Sequence, residues 1–284
     1  MIELGKLTLL AEGAQARVYH YGDDKVLRVM RRPEDETLLK NEIAVIGALR
    51  DAGVLVPKTY EYMQIGDHPA AMSEKIKGIS LMEYLNRHPL GVVQVGRWLG
   101  ERHLQLAGAA SEVTLQPGRE RSRYIVGQSE WLDESRMDFV LSLIDGLPDG
   151  SDLCHGDFHP GNILRQGDQN YIIDWVGVYR GDLLSDAANT YLLMNNTPKP
   201  PGVGPVRYAR MGMTGPLLSR GYMGALRKGR PMDMGVFSQW LVIKAAERTV
   251  YGLSGEKERL AAFIETCRDL HQKGVPPDRW YKRL

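Results

Sequence analysis

The stretch Leu153-Cys154-His155-Gly156-Asp157-Phe158-His159-Pro160-Gly161-Asn162-Ile163-Leu164 gathers the side chains of this chain best suited to chemistry. Twelve residues beyond Asn162 stands Asp174, within Ile172-Ile173-Asp174-Trp175. Apolar residues flank each polar cluster, which puts Asp157, Asn162 and Asp174 at the ends of buried strands, where three acceptor side chains converge. Oxygen donors of this kind suit Mg2+, which takes one or two carboxylates and completes its shell with water and phosphate oxygens. An acceptor beyond the metal ligands is left to act as a base. His155 and His159 invite a zinc reading. A His-x-x-x-His zinc pair belongs on a helix, however, and Gly156, Pro160 and Gly161 forbid one here. Both histidines are expected to brace the loop by hydrogen bonds.

The elements that must position these groups fall into two kinds. Residues 4–10, 17–21 and 25–30 read as strands, the last two joined by the turn Gly22-Asp23-Asp24. Pro33-Glu34-Asp35-Glu36 opens a helix with a proline and acids in its first turn. Leu38, Leu39, Glu42, Ile43, Ile46 and Leu49 continue it at helical spacing, and Gly53 follows its end. Residues 59–65 and 70–76 form a hairpin across Gly66-Asp67-His68-Pro69. Beyond Gly78 the pattern turns helical over 80–87, 92–106 and 129–147. In the last of these Leu132, Met137, Val140, Leu141 and Ile144 share one stripe. A mixed stretch over 153–175 interrupts, and helices resume at 182–194, 205–226, 237–253 and 256–273. Prolines and glycines over 198–205 mark a loop, and residues 108–123 carry no readable pattern.

His155-Gly156-Asp157-x-His159-x-x-Asn162 followed by Ile173-Asp174-Trp175 resembles the catalytic loop and metal-binding turn of the protein-kinase-like fold, and more narrowly the aminoglycoside phosphotransferase and choline kinase family. The resemblance implies an α+β, two-lobed architecture: a small antiparallel-sheet N-lobe with one helix and a larger, mostly helical C-lobe. Residues 1–77, linker included, would bind the nucleotide, and residues 78–284 would carry catalysis and the second substrate. Asp157 would be the catalytic base that orients a hydroxyl toward the γ-phosphate of ATP, while Asn162 and Asp174 would hold Mg2+.

The same resemblance assigns the N-terminal residues. The family's glycine-rich loop aligns with Ala11-Glu12-Gly13-Ala14-Gln15-Ala16-Arg17-Val18, which keeps one glycine of three; Gly13 and Ala14 would approach the phosphates and Val18 the adenine. The lysine expected on the third strand is replaced by Arg28, which shares a face with Val26 and Met30. Glu42 is its natural partner. Met72-Ser73-Glu74-Lys75-Ile76 matches the inter-lobe linker, with the backbone from Glu74 to Ile76 at the adenine edge and Met72 facing the pocket. Asp182 and Asp186 are expected to be structural, a helix cap and a brace for the catalytic loop.

Composition limits the partners. The 284 residues carry a net charge of +1, which argues against nucleic acid or an acidic membrane as the main partner. No apolar run nears the roughly 18 residues of a membrane span, and residues 1–10 do not read as a signal peptide. Two cysteines, Cys154 and Cys267, are too few for a disulfide framework, so a cytoplasmic protein is the expectation. Residues 182–284 hold sixteen Lys and Arg against nine Asp and Glu, a net of +7, whereas residues 1–181 carry −6. A basic helical region is a poor host for a polycation, so the acceptor is expected to be a small, neutral or anionic hydroxylated metabolite rather than an aminoglycoside. Two other readings remain: a catalytically silent nucleotide-binding module, suggested by Arg28 and the thinned glycine loop, and a metal-dependent phosphoesterase.

Overall fold

The computed structural model describes the whole chain except residues 1, 14, 110–113, 197–204 and 252–254, and gives the backbone alone over 205–213. Ala14 and all but the last residue of the expected loop at 198–205 therefore lie outside the described residues. In chain order the first elements are β1 (Leu9–Glu12), β2 (Ala16–Tyr21), β3 (Lys25–Met30), α1 (Glu36–Asp51), β4 (Thr59–Ile65), β5 (His68–Glu74), β6 (Ile79–Ser80), α2 (Leu81–Arg87) and α3 (Val92–Ala107). There follow α4 (Gly118–Val126), α5 (Glu134–Gly146), β7 (Asp152–Cys154), β8 (Ile163–Gln166), β9 (Gln169–Ile172), β10 (Tyr179–Gly181), α6 (Leu183–Asn195), α7 (Pro205–Gly229), α8 (Met234–Tyr251) and α9 (Lys257–Gln272). The expected α+β architecture, an antiparallel N-terminal sheet with one helix and a helical C-terminal region, is what the chain adopts.

The chain forms two compact units: Met1–Tyr84 with Ala109–Thr114 and Pro160–Gly177, and Leu85–Gly108 with Leu115–His159 and Val178–Leu284. The first is built on a five-stranded antiparallel sheet of order β1-β2-β3-β5-β4. Period-two alternation gives this sheet two apolar faces. Ala16, Met30 and Ala71 pack with Leu39 of α1 on one, and Leu27, Val29 and Ala70 are covered by Leu4, Leu7 and Tyr19 on the other. The expected first strand over 4–10 is replaced by a short 3-10 turn at Leu4–Lys6 and a strand only from Leu9. Leu4 and Leu7, three apart, reach the sheet face from a turn, where an extended chain would send them to opposite sides. A second small sheet, β6-β8-β9, completes this unit.

The second unit is helical apart from the short β7-β10 ribbon. The unreadable stretch supplies α4, and the other helices lie where the periodicity put them, to within a few residues at most ends. One crossing depends on glycine. A Cβ added to Gly96 of α3 would lie 2.2 Å from the Leu218 carbonyl oxygen, and one added to Gly221 of α7 would lie 2.1 Å from that of Val93. Backbone meets backbone there, so no side-chain rotation relieves the clash. We expect Gly221→Ala to lower the unfolding free energy by about 1–3 kcal/mol, read as a lower urea midpoint with an unchanged slope.

Candidate active site

In the first unit the organising group is Glu42. It occupies the inward stripe of α1 with Leu39, Val45 and Leu49, and is only 4% exposed. A carboxylate at such a position needs charge and hydrogen-bond compensation. Arg28 provides it from β3, its Nη1 donating to Oε1 at 2.5 Å and Oε2 at 2.6 Å. Strand pairing explains why the two meet: Arg28 stands opposite Val18 on β2 and Ala71 on β5, on the sheet face that carries Ala16, Met30 and α1. The Trp175 backbone N–H also donates to Glu42 Oε1, at 3.4 Å. One buried carboxylate thus holds both the β3 cation and the residue after Asp174.

Asn162 and Asp174 belong to the same hairpin. Asn162 immediately precedes β8, and Asp174 lies two residues past β9. The Ile173 N–H donates to the Asn162 carbonyl at 3.0 Å, which closes the hairpin base, and the Ile172 N–H donates to that of Leu55 at 2.9 Å, which ties the hairpin to the segment after α1. Asp174 has φ +67°, the one positive φ of a non-glycine residue among the described residues. That left-handed backbone is sterically costly outside glycine, and aspartate is among the residues that tolerate it. An amide oxygen and an exposed carboxylate on neighbouring turns fit a hard divalent cation that draws its remaining ligands from phosphates and water. Among the described residues no group of three His, Cys, Asp or Glu side chains gathers to hold a metal.

The remaining N-terminal candidates are placed as follows. Gly13 closes the β1–β2 turn, its N–H donating to the Ala16 carbonyl at 2.9 Å. Arg31, which the sequence reading missed, clamps that turn: its Nε donates to the Gly13 carbonyl at 2.9 Å, its Nη2 to Glu12 at 2.6 Å and its backbone N–H to the Gln15 carbonyl at 2.9 Å. Met72 pairs with Leu27 across β3–β5 and so shares the face opposite Arg28, which corrects its expected place toward the pocket; Ala71 and Ser73 are the β5 residues on Arg28's side. At the linker the Glu74 N–H donates to the Lys58 carbonyl at 2.7 Å and the Lys75 N–H to that of Asp24 at 2.8 Å. These two amides are thus committed within the unit, which leaves the Glu74 carbonyl and the Ile76 amide as the linker groups outside those bonds.

In the second unit Asp157 follows β7 on a loop whose turn is made by Gly156, at φ +83°. The loop is braced from α6. Asp186, fully buried, accepts from the His155 N–H at 2.6 Å and the Gly156 N–H at 2.9 Å. Asn189 donates to the Gly156 carbonyl at 2.8 Å and Thr190 to that of Phe158 at 2.8 Å. These three side chains lie at i, i+3 and i+4, on one helix face. Asp182 caps the same helix by accepting from the Leu184 N–H at 2.8 Å. Both aspartates act as expected, and His155 braces the loop through Nδ1, 3.3 Å from the Asp157 N–H. His159 Nε2 lies 3.5 Å from the Asp157 carboxylate. His103 of α3, unremarked in the sequence, bonds Asp186 at 3.0 Å and Tyr222 of α7 at 2.6 Å, its ring 4.3 Å from that of Phe158. The polar residues at helical spacing within Ser185-Asp186-Ala187-Ala188-Asn189-Thr190 were the signal for the α6 face; the buried His103 left none.

Burial alone would raise the Asp186 pKa, but His103 and His155 outweigh it and bring it down to about 2. An unfolded aspartate titrates near the ordinary value, so between ~4 and ~2 the unfolded chain holds more protons and stability rises with pH. The contribution, about 2 kcal/mol, is present above that window and is lost as pH falls through it. Asp186→Asn is therefore expected to lower stability at neutral pH by about 2 kcal/mol or more, and to flatten the pH dependence of urea unfolding between ~4 and ~2.

Comparison with known proteins places this geometry. The family described as the phosphotransferase enzyme family, APH, matches residues 6–213. A search of curated proteins returned no match. Among solved structures, a thermostable mutant of aminoglycoside phosphotransferase APH(4)-Ia is 17% identical with a TM-score of 0.65, covering 94% of each chain. Amicoumacin kinase hAmiN, solved with AMP-PNP, Ca2+ and Ami, is 17% identical with a TM-score of 0.62, over 97% of this chain and 90% of that one. A choline/ethanolamine kinase family protein from Mesorhizobium loti is 18% identical with a TM-score of 0.60, over 96% and 91%. These likenesses establish the shared fold, and the family match spans most of the chain, from the first strand to α7: the chain belongs to the APH phosphotransferase family.

Proposed function

We propose that this chain transfers the γ-phosphoryl group of ATP to a hydroxyl of a small molecule. The observation that carries the reading is the double use of Glu42, which binds Arg28 through one guanidinium nitrogen and the Trp175 N–H through backbone. Arginine has five N–H donors, so Nη1 can hold Glu42 while the other nitrogens face phosphate, a division of labour open to a planar guanidinium. The functional division we propose is residues 1–77 for nucleotide and residues 78–284 for catalysis and acceptor.

Each residue then has a task. Val18, beside Arg28 on the same sheet face, covers the adenine. The Glu74 carbonyl and the Ile76 N–H read its edge, since the intervening amide of Lys75 is committed to Asp24. Gly13 brings backbone to the phosphates, with Arg31 holding the turn. Asn162 and Asp174 would hold Mg2+, which supplies charge neutralisation on the phosphate oxygens when bound. Asp157 accepts the hydroxyl proton and aims the oxygen, with Asp186, Asn189 and Thr190 fixing the loop that bears it. The solved relatives include proteins bound to hygromycin B and to Ami. The excess of Lys and Arg over residues 182–284 argues against a polycationic acceptor here and for a neutral or anionic metabolite. Tyr179, an aromatic that an ammonium cage would use, is already faced by Arg121 and Lys244 at 5.2 and 5.1 Å.

A second reading, a catalytically silent nucleotide-binding module, is favoured by the one-glycine turn that Arg31 clamps. One experiment separates the two. Thermal shift with ATP and GTP, with and without Mg2+, should show Mg2+-dependent stabilisation that Asp174→Ala abolishes. Asp157→Asn should keep the stabilisation and lose about 10²–10⁴-fold in transfer to an active acceptor. Stabilisation with no transfer to any of a broad panel of alcohols and sugars would assign the silent module. No stabilisation by either nucleotide would overturn both readings.

A further inference from the structure

Arg31 meets the turn between β1 and β2 at three points, and at each of them it holds an oxygen. Its Nε donates to the Gly13 carbonyl at 2.9 Å, its Nη2 to the Glu12 carboxylate at 2.6 Å and its backbone N–H to the Gln15 carbonyl at 2.9 Å. The last bond carries the β2–β3 pairing one step past Ala16 and Met30, which fixes Arg31 beside the turn. Nε and Nη2 belong to one planar guanidinium, so the side chain makes a rigid two-point grip that the single ammonium of a lysine cannot reproduce.

The fold gains little from this grip. The side chains of Arg31 and Glu12 are 34% and 45% exposed, and an ion pair so open to water adds little to stability. Arg17 donates to the same Glu12 oxygen at 2.9 Å. Hydrogen bonds from Arg17 and then Arg31 hold the Glu12 carboxyl below the usual carboxylate range, so it stays an anion at the turn. A three-point clamp on an exposed turn therefore calls for a reason beyond packing.

Phosphate supplies one. Backbone that receives an anion must put N–H groups in front and carbonyls behind. A glycine-rich turn manages this because glycine lets its peptides adopt orientations closed to other residues. Here one glycine stands over residues 12–15. Arg31 engages the two carbonyls and the carboxylate named above, oxygens that would repel a phosphate. In a trans peptide the N–H points opposite to the C=O, so each carbonyl held toward Arg31 turns the amide of the same peptide away from it.

We infer that Arg31 is a positioning residue for the polyphosphate of the nucleotide: its clamp holds the oxygens of the turn off the phosphates, in place of the backbone freedom that further glycines would give. This role rests on the proposed nucleotide site and adds how that site selects its ligand. Affinity gained at the turn grows with the number of phosphates, through the geometry of the clamp rather than the charge of Arg31 alone.

The test is isothermal titration of the full chain with ATP, ADP and adenosine, each with Mg2+, on the parent, Arg31→Gln and Arg31→Lys. Arg31→Gln is expected to weaken ATP by roughly tenfold or more and adenosine by less than about threefold, with ADP between them. Arg31→Lys keeps the charge, loses the two-point grip and is expected to resemble Arg31→Gln. Equal weakening of all three ligands would mark a merely structural clamp, and parent-like affinity in Arg31→Lys would mark a point charge. Either result, or parent-like affinity in Arg31→Gln, overturns the inference and leaves the nucleotide site standing. A parent that binds ATP no tighter than adenosine does the same. A parent that binds none of the three overturns the proposed function and the inference with it. Should Arg31→Gln fail to fold, Arg31→Lys still decides.

Discussion

Much of the first unit depends on a carboxylate placed where a hydrophobic residue would ordinarily sit. Glu42 continues the inward stripe of α1 between Leu39 and Val45. A buried carboxylate left unpaired is costly by several kcal/mol, so its partners are constrained in turn. Arg28 must fall on the α1 side of β3, which sets the parity of that strand against β2 and β5. The Trp175 N–H must come within reach, which draws the turn after β9 toward α1. Moving Arg28 by one residue would flip it to the face of Leu27 and Val29 and leave Glu42 without a compensating charge.

The loop that bears Asp157 in the second unit is held by the same device. There the buried carboxylate is Asp186, and its partners are two successive backbone amides and His103. The division between the units falls between His159 and Pro160, inside the motif. Asp157 is thus fixed by one buried acid and the Asn162–Asp174 hairpin by another. Such over-determination suits the task proposed for Asp157, whose oxygen would have to be aimed to within a fraction of an ångström. Charges fixed in apolar surroundings supply it because alternative geometries strand a donor or an acceptor.

Short-range signals made the parts of the fold legible. Period two along β2 and β3, the helical spacing from Leu38 to Leu49, and the acids and proline that open α1 are local features, and the chain obeys them. The motif at 155–162 was legible through its resemblance to the family's catalytic loop, and its glycines and proline ruled out a helical zinc pair. Pairing was the limit. Met72 was placed toward the pocket by its position along the chain, whereas its face is set by which residue of β3 lies beside it. The Arg31 clamp, His103 and Tyr222 act on residues 18, 83 and 119 positions away, and no window of sequence contains both partners. Leu4 and Leu7 were ambiguous for a different reason: two leucines three apart cover a sheet from a turn as well as they line a helix.

The buried charges of the second unit are otherwise compensated. Glu247, 3% exposed, receives Lys244 at 2.7 Å, Ser122 at 2.5 Å and Arg121 at 3.4 Å. Burial raises its pKa, and Lys244 and Arg121 more than offset that, so the carboxylate stays charged. Glu256 receives Arg248 and Asn196, and Ser129 bonds Thr249. Where other buried polar atoms lack a bond among the described residues, in Asp35 and Arg268, the same side chain engages a partner nearby, Arg32 for one and Ser135 for the other. Trp240 has a single polar atom, and it is the one left over. A core that satisfies its polar groups this consistently gives weight to the exception, because an apolar side chain of similar shape would have avoided the cost of the unmade bond.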